Sequence, residues 1–302
     1  RCFGNINKIQ PLECIFNQAD PQFDAVQGIN CRLSVLLGMD GFSFLVTDSV
    51  SEKVLRVSSY KLSHTDVQPA EPGVWMANGN DYFAQLKKTG YTGFLWPKVD
   101  IAVVSPKISV APHLFMEQGN ELGIISAAYP VSANEKVLIE PVFDLGPVAA
   151  TLAPAYISEH CSAIFPGCHM RNAAAVFVKG VLRRHSQLIS RQVFINVHSG
   201  FFEITVIQGL RLLYLNAFKY ASPSDVLYYV IFVLEQLGFV PSEEKITLLG
   251  DISANSTLFL QLKMYCGSLN FIEDPDELIF GEVFAGMPKH NYFTLLNIPI
   301  CE

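Results

Sequence analysis

The chain has 302 residues, of which 50% are apolar and 16% are charged, and its formal net charge is −7. This composition excludes a disordered chain, and the length allows two lobes or one large domain. No dense Lys/Arg run offsets the acidic balance, which argues against nucleic acid and against an acidic membrane surface. A protein or small-molecule partner fits this charge better.

Localisation signals also point one way. The longest uninterrupted apolar stretch, residues 226–234, stops at Glu235, far short of the about 20 residues that span a bilayer. Residues 1–20 lack the charged start, apolar middle and cleavage site of a signal peptide. The seven cysteines are an odd number and scattered, which is typical of reduced, buried thiols. We therefore expect a cytoplasmic protein without a membrane span.

The first half predicts a three-stranded meander after an irregular lead-in at residues 1–30. Alternating apolar residues indicate strands at 33–37, 42–46 and 54–60. The first two strands are joined by a short turn, which consists of Gly38, Met39, Asp40 and Gly41.

The same pattern returns in the second half. Strands are predicted at 193–197, 201–207 and 210–218, and the turn between the first two contains His198, Ser199 and Gly200. Gly41 and Gly200 therefore occupy matching turns.

Each meander is followed by a helix and then by a short apolar strand. Residues 81–88 and 224–237 have helical patterns, and the second helix begins with capping residues around Ser222 and Asp225. The strands follow at 99–105 and 245–250. Two such units predict a duplicated α/β fold, in which each lobe has a mixed sheet of a meander plus parallel strands, flanked by helices.

The division between the predicted lobes lies at residue 150, giving an N-terminal lobe at 1–150 and a C-terminal lobe at 151–302. Residues 148–161 and 170–188 are predicted to be helices near this junction. The stretch from residue 274 is rich in Pro and Gly, so we expect loops there and a short final strand or helix.

Several of these segments resemble one protein family. Residues 33–46, 193–206, 225–229 and 248–251, together with the ending Phe-Thr-Leu-Leu-Asn at 293–297 and Cys-Glu at 301–302, are similar to a bacterial family of unknown function. That family is found chiefly in Bacteroidetes and has an actin-like ATPase fold, which is related to ribonuclease H. The resemblance covers about residues 31–302 and implies a fold rather than an activity.

The resemblance also implies where a nucleotide would bind. Proteins of the actin and sugar-kinase superfamily hold ATP between their lobes, where small turns approach the phosphates and carboxylates hold hydrated magnesium. The corresponding cleft residues of this chain are Gly38, Asp40, Gly41, Ser199, Gly200, Gly250 and Asp251.

This chain departs from the superfamily pattern at the aspartate of both turns. The two positions carry Met39 and His198, while Asp40 lies one residue away and would face the cleft only after a register shift. Phe42, Phe201 and Phe202 follow the turns, where they would crowd phosphate oxygens. We therefore assign no cofactor, and ATP with magnesium is disfavoured.

Other chemistry has weaker signals. His198 and Ser199 suggest a nucleophile, but adjacent strand residues point to opposite faces. Glu203, Asp225 and Asp251 could form a two-metal carboxylate cluster of the ribonuclease-H type, although no basic groove accompanies them. The spacing of Cys161, Cys168 and His169 lacks a second ligand pair, so no metal site is expected.

The aromatic residues that follow the turns could form either a core or a partner-binding patch, and packing between sheet and helix is favoured. They are Phe42, Phe44, Phe201 and Phe202.

Two hypotheses survive. The favoured one is a non-catalytic actin-like scaffold that binds an unidentified protein partner. The alternative is a divergent nucleotide-binding ATPase or kinase whose acids are Asp40, Asp225 and Asp251.

Overall fold

A computed structural model describes residues 12–21, 23, 30–62, 82–117, 121–144, 146–185, 187, 189–273 and 277–301. The strands in chain order are β1 (Leu12–Ala19), β2 (Cys31–Gly38), β3 (Gly41–Asp48), β4 (Val54–Leu62), β5 (Lys98–Val103), β6 (Ile108–Ala111), β7 (Glu135–Pro141), β8 (Val148–Pro154), β9 (His169–Asn172), β10 (Arg191–His198), β11 (Phe201–Gln208), β12 (Arg211–Lys219), β13 (Lys245–Gly250) and β14 (Ser268–Phe271).

The helices in chain order are α1 (82–88), α2 (Leu114–Glu117), α3 (Glu121–Ser126), α4 (Ala155–Ile164), α5 (Ala173–His185), α6 (Pro223–Gln236), α7 (Thr257–Tyr265) and α8 (Phe293–Asn297). Short 3₁₀ turns lie at Tyr91–Gly93, Pro241–Glu243, Glu282–Phe284 and Lys289–Tyr292. Within the described residues, every helix is too short or too polar to cross a membrane.

The first lobe is built on a six-stranded sheet with the order β1-β4-β3-β2-β5-β9. Strands β2, β3 and β4 form the predicted antiparallel meander, and β5 and β9 join it in parallel. The irregular lead-in predicted for residues 1–30 is wrong for β1, which pairs with the edge of β4. That pairing comes from tertiary contact, because an unpaired strand edge accepts another strand.

The second lobe repeats this arrangement in a five-stranded sheet with the order β12-β11-β10-β13-β14. Strand β13 has the predicted bounds and runs parallel to β10. Helix α6 begins with the predicted capping box, in which Ser222 and Asp225 each accept a hydrogen bond from the other's backbone amide. The predicted duplication is therefore confirmed by two sheets of matching strand order.

The region between β5 and α5 differs from the prediction. The helix predicted at 148–161 is a strand, β8, in its first half, and α4 begins only at Ala155. Strand β8 is buried along nearly its whole length, since its side chains lie in apolar clusters, and β6 and β7 pair with its two edges. Small helix-prone residues such as Ala149 and Ala150 therefore lie in a strand, since sheet pairing overrides their helix propensity.

The helix predicted at 170–188 is also shorter at its start. Strand β9 takes His169–Asn172 into the first sheet, and α5 runs from Ala173 to His185. The lobe boundary at residue 150 stays a prediction; β9, which follows it in the chain, pairs with β5.

The segment from residue 293 onward returns to the first lobe. Helix α8 contacts β2, β3 and α5, and its side chains are buried. The backbone carbonyls that follow are held by arginines: Arg32 Nη1 donates to Pro299 O at 2.7 Å and Arg183 Nη1 to Ile300 O at 3.1 Å. The final element predicted from the sequence is thus a helix packed into the first lobe.

A buried ion cluster holds the same segment. Arg171 donates to the carbonyls of Ile298 and Cys301 and also pairs with Glu140, which Lys179 contacts at 2.7 Å. Burial alone would raise the pKa of Glu140, but the hydrogen bonds and charges of Arg171 and Lys179 outweigh it and lower that pKa. The cluster ties β7, β9 and α5 to the segment.

Candidate functional site

The cleft between the lobes brings most of the predicted cofactor residues together. A cavity of about 120 Å³ lies there, lined from the first lobe by Gly38, Asp40 and Gly41 and from the second by Ser199, Gly250 and Asp251. Gly200 lies next to Ser199 in the turn between β10 and β11, with a φ of 80°. We call residues 38–41 the first turn and residues 198–201 the second turn.

The first turn is packed from inside the lobe. Tyr82, on α1, is almost fully buried, and its hydroxyl lies 3.0 Å from Gly41 O and 3.3 Å from Gly38 O. Burial, together with nearby Cys161 and Asp40, raises the pKa of Tyr82 well above its ordinary value. Tyr82 therefore stays a neutral donor that fixes the turn's carbonyls.

Met39 and Phe42 belong to the apolar core of the first lobe. Met39 is 8% exposed and Phe42 is 2% exposed, and Phe42 contacts the rings of Phe44, Tyr60 and Tyr82. The Met39 thioether is thus packed in the core of the first lobe. The predicted core packing of the four turn aromatics is confirmed, since Phe42, Phe44, Phe201 and Phe202 are all buried.

A chain of charges crosses the cleft. The Lys61 ammonium, at the end of β4, contacts the Asp251 carboxylate of the second lobe and lies 4.0 Å from Asp40 Oδ2. The Lys61 side chain is 30% exposed, Asp40 23% and Asp251 51%. Both acids proposed for magnesium therefore face one protein cation.

The second turn carries a buried polar cluster. His198 stacks on Phe201 with ring centroids 4.5 Å apart, and its Nε2 lies 3.2 Å from Glu203 Oε2. Asn196 Nδ2 donates to the same carboxylate oxygen at 2.7 Å. Since Glu203 is only 3% exposed, its carboxyl group finds its hydrogen-bond partners inside the lobe.

The three acids of the two-metal hypothesis have separate neighbours. Glu203 is held by Asn196 and His198, whereas Asp251 contacts Lys61. Asp225 caps α6, where hydrogen bonds from the backbone amides of Ala221 and Ser222 lower its pKa. No cluster of three or more His, Cys, Asp or Glu side chains in the described ranges is arranged to hold a metal ion.

Two cleft glycines are required by chain packing. A Cβ on Gly250, whose φ is +77°, would lie 2.1 Å from Val197 O. A Cβ on Gly41 would lie 2.0 Å from Tyr60 O. These approaches explain both glycines without a phosphate.

The cleft residues do not fit a magnesium nucleotide in this conformation. Pockets for small molecules measure about 300–1,000 Å³, and the cavity here measures about 120 Å³. The carboxylates of Asp40 and Asp251 face Lys61, and a nucleotide phosphate would approach those same negative charges.

Two functional features were missed from the sequence. One is Lys61. The other is Tyr220, whose hydroxyl donates to His198 O of the second turn at 2.8 Å, while Tyr82 donates to carbonyls of the first turn. The hairpin register, which places Lys61 opposite Gly41, could have located the lysine beside the first turn.

The fold is shared with solved structures. A Bacteroides thetaiotaomicron VPI-5482 protein with an actin-like ATPase fold and unknown function has a TM-score of 0.74 at 18% identity, over 93% of this chain and 99% of that one. A PilM–PilN type IV pilus biogenesis complex contains a chain with a TM-score of 0.62 at 10% identity, over 89% of this chain and 97% of that one. The molecule therefore has a two-lobed actin-like ATPase fold.

The family is shown by a separate comparison. The profile described as "Protein of unknown function (DUF3822)" matches residues 20–269, so the chain belongs to that family. A search of curated proteins gave no significant match.

Proposed function

We propose that this protein is a non-catalytic actin-like scaffold that binds another protein, and that its inter-lobe ATP site is degenerate. The observation that carries the proposal is the bridge from Asp40 through Lys61 to Asp251 across a small cleft. The Lys61 ammonium lies at the two carboxylates that an ATPase of this fold would need free to hold magnesium.

A protein partner is supported by composition and by likeness. The net charge of −7 disfavours nucleic acid. One structure with the same fold is that of the PilM–PilN pilus biogenesis complex, in which a chain of this shape is bound to another protein. The proposal includes a cytoplasmic location, in keeping with the free thiols of all six described cysteines.

An ATP-hydrolysis assay tests the degenerate site. We expect the purified protein to release no phosphate from ATP above a no-enzyme control, with or without magnesium. Magnesium-dependent hydrolysis that is lost in both Asp40→Asn and Asp251→Asn would contradict the proposal. Asp144→Asn, at an exposed position outside the cleft, is the matched control.

The alternative is a divergent ATPase or kinase. It is favoured by one observation, that Asp40 and Asp251 meet across the cleft at a lysine, a residue type that also binds phosphates. Asp225, the third acid of this hypothesis, caps α6. A thermal shift produced by ATP with magnesium, and abolished in Lys61→Met, would support the alternative.

A further inference from the structure

We propose that the two lobes are locked in one relative orientation by their own side chains, so that the angle between them does not depend on a ligand. This inference deepens the proposed function, on which it rests for the role of the cleft. Three contacts carry it, and each joins residues of different lobes.

The first contact is an aromatic side chain that crosses between the lobes. Phe201 belongs to β11 of the second lobe, yet it is 2% exposed and packs within the apolar cluster of the first lobe. Its neighbour Phe202 is fully buried in the second lobe's own cluster, against Phe218 and Tyr220. Successive strand residues point to opposite faces, so β11 contributes one ring to each lobe.

The second contact is the charge bridge. Lys61 leaves the first sheet at the end of β4 and contacts Asp251, which directly follows β13. Asp251 is itself fixed, because its backbone amide donates to Val197 O at 2.8 Å. The bridge therefore joins two ordered sheet ends.

The third contact is the segment 289–301, which we call the strap. On the second lobe, His290 Nε2 lies 2.9 Å from Ile252 O and its ring lies 4.3 Å from that of Phe271. On the first lobe, α8 is buried and the carbonyls beyond it are held by Arg32, Arg171 and Arg183.

The three contacts together restrain rotation as well as separation. The ring of Phe201 acts at the second turn, the charge bridge at the end of β4, and the strap where α8 contacts β2 and β3. A ligand changes a conformational equilibrium only through its different affinity for the two states. Because three protein contacts already hold the lobes together, a bound nucleotide would change the angle between the lobes little.

The test measures the distribution of distances between two spin labels, one on each lobe, by pulsed electron paramagnetic resonance. Lys87 on α1 and Lys263 on α7 are exposed and are changed to Cys for labelling. Cys2, Cys14 and Cys168 are replaced by Ser to limit labelling elsewhere.

Two pairs of variants isolate the lock. Lys61→Met removes the bridge, and Lys53→Met is its control, since Lys53 is 31% exposed and pairs with Asp20 at 2.8 Å outside the cleft. Phe201→Ala removes the crossing ring, and Phe202→Ala removes an equally buried ring that stays within its own lobe. If Phe201→Ala does not fold, Phe201→Leu replaces it.

We expect one narrow distribution for the wild type, unchanged by ATP with magnesium, and a distribution about twofold broader for Lys61→Met combined with Phe201→Ala or Phe201→Leu. The combination Lys61→Asp with Asp251→Lys should restore the narrow width relative to Lys61→Asp alone. A broad wild-type distribution, or equal broadening in the control variants, would overturn the lock. ATP binding without any change in distance would contradict the degenerate site and leave the lock standing.

Discussion

The two turns are both two-residue loops of a β-hairpin, closed by the pairs Gly38–Gly41 and His198–Phe201, but their backbones and side chains differ. Gly200 in the second turn has a φ of 80°, whereas no residue of the first turn has a positive φ. In each, a tyrosine hydroxyl from outside the hairpin, Tyr82 or Tyr220, donates to a turn carbonyl. The first turn then presents Asp40 toward the cleft, whereas the second turn sends Phe201 into the other lobe. The duplicated hairpins therefore place a carboxylate at the cleft from one lobe and a buried ring between the lobes from the other.

The largest effect is expected where backbone approaches backbone. Gly250→Ala should lower the free energy of unfolding by about 4 kcal/mol or more, because its Cβ would overlap the Val197 carbonyl and the φ is positive. Gly238→Ala has a similar φ of +72° and open space around it, so it should cost only about 1–2 kcal/mol. Urea denaturation of both variants measures the two losses in unfolding free energy. Equal losses would contradict the role given to the contact between Gly250 and Val197 O.

The next largest loss of stability is expected from removing the tyrosine hydroxyls that contact the two turns. Tyr82→Phe should cost about 1–3 kcal/mol, because it leaves buried carbonyls of the first turn without this donor. Tyr220→Phe should cost about 1 kcal/mol, since Tyr220 is only partly buried. Thermal or urea unfolding measures both, and a larger loss for Tyr220→Phe would reverse the proposed order.

The buried tyrosines should also make the free energy of unfolding depend on pH in the alkaline range. Burial raises the pKa of both Tyr82 and Tyr220 above their ordinary value of 10.0. Because the folded-state pKa is raised, each tyrosine loses its proton at lower pH in the unfolded chain than in the folded one. The contribution of these tyrosines to the free energy of unfolding is therefore fully present below pH 10 and falls as the pH rises further. Unfolding free energy followed from pH 8 to above pH 10 should decline less steeply in Tyr82→Phe than in the wild type. An unchanged slope would exclude this contribution.

The charge bridge should have the smallest effect on stability. Lys61→Met and the control Lys53→Met should each cost less than about 1 kcal/mol, since both lysines are about one-third exposed and salt screens such pairs. Urea unfolding at low and high salt checks this. A loss from Lys61→Met several times larger than from Lys53→Met would show that the bridge stabilises the fold itself and not only the lobe angle.

Local pattern predicted the repeated part of the fold. Period-two alternation and the capping box at Ser222 identified both meanders and α6, because those signals come from neighbours in sequence. Strands β1 and β8 could not be found this way. Their conformation depends on pairing with β4, and with β6 and β7, which are distant or themselves irregular in pattern.

The candidate site likewise has features that local sequence pattern predicts and features that depend on how the lobes are arranged. Asp40 and Ser199 line one cavity, and Asp40 reaches it in the regular hairpin register, without the register shift expected from the sequence. The contact of Lys61 with Asp251 depends on the angle between the lobes, which no local pattern encodes. Phe201 was correctly predicted to be core, but the lobe in which it packs follows from the tertiary arrangement alone.

Calorimetric titration of the wild-type protein with ATP and ADP, in the presence of magnesium, decides whether the cleft binds a nucleotide. We expect no heat of binding, because Lys61 contacts both cleft acids and the cavity is too small for a nucleotide. Micromolar binding that is lost in Asp251→Asn would contradict this expectation and would make the cleft a working nucleotide site.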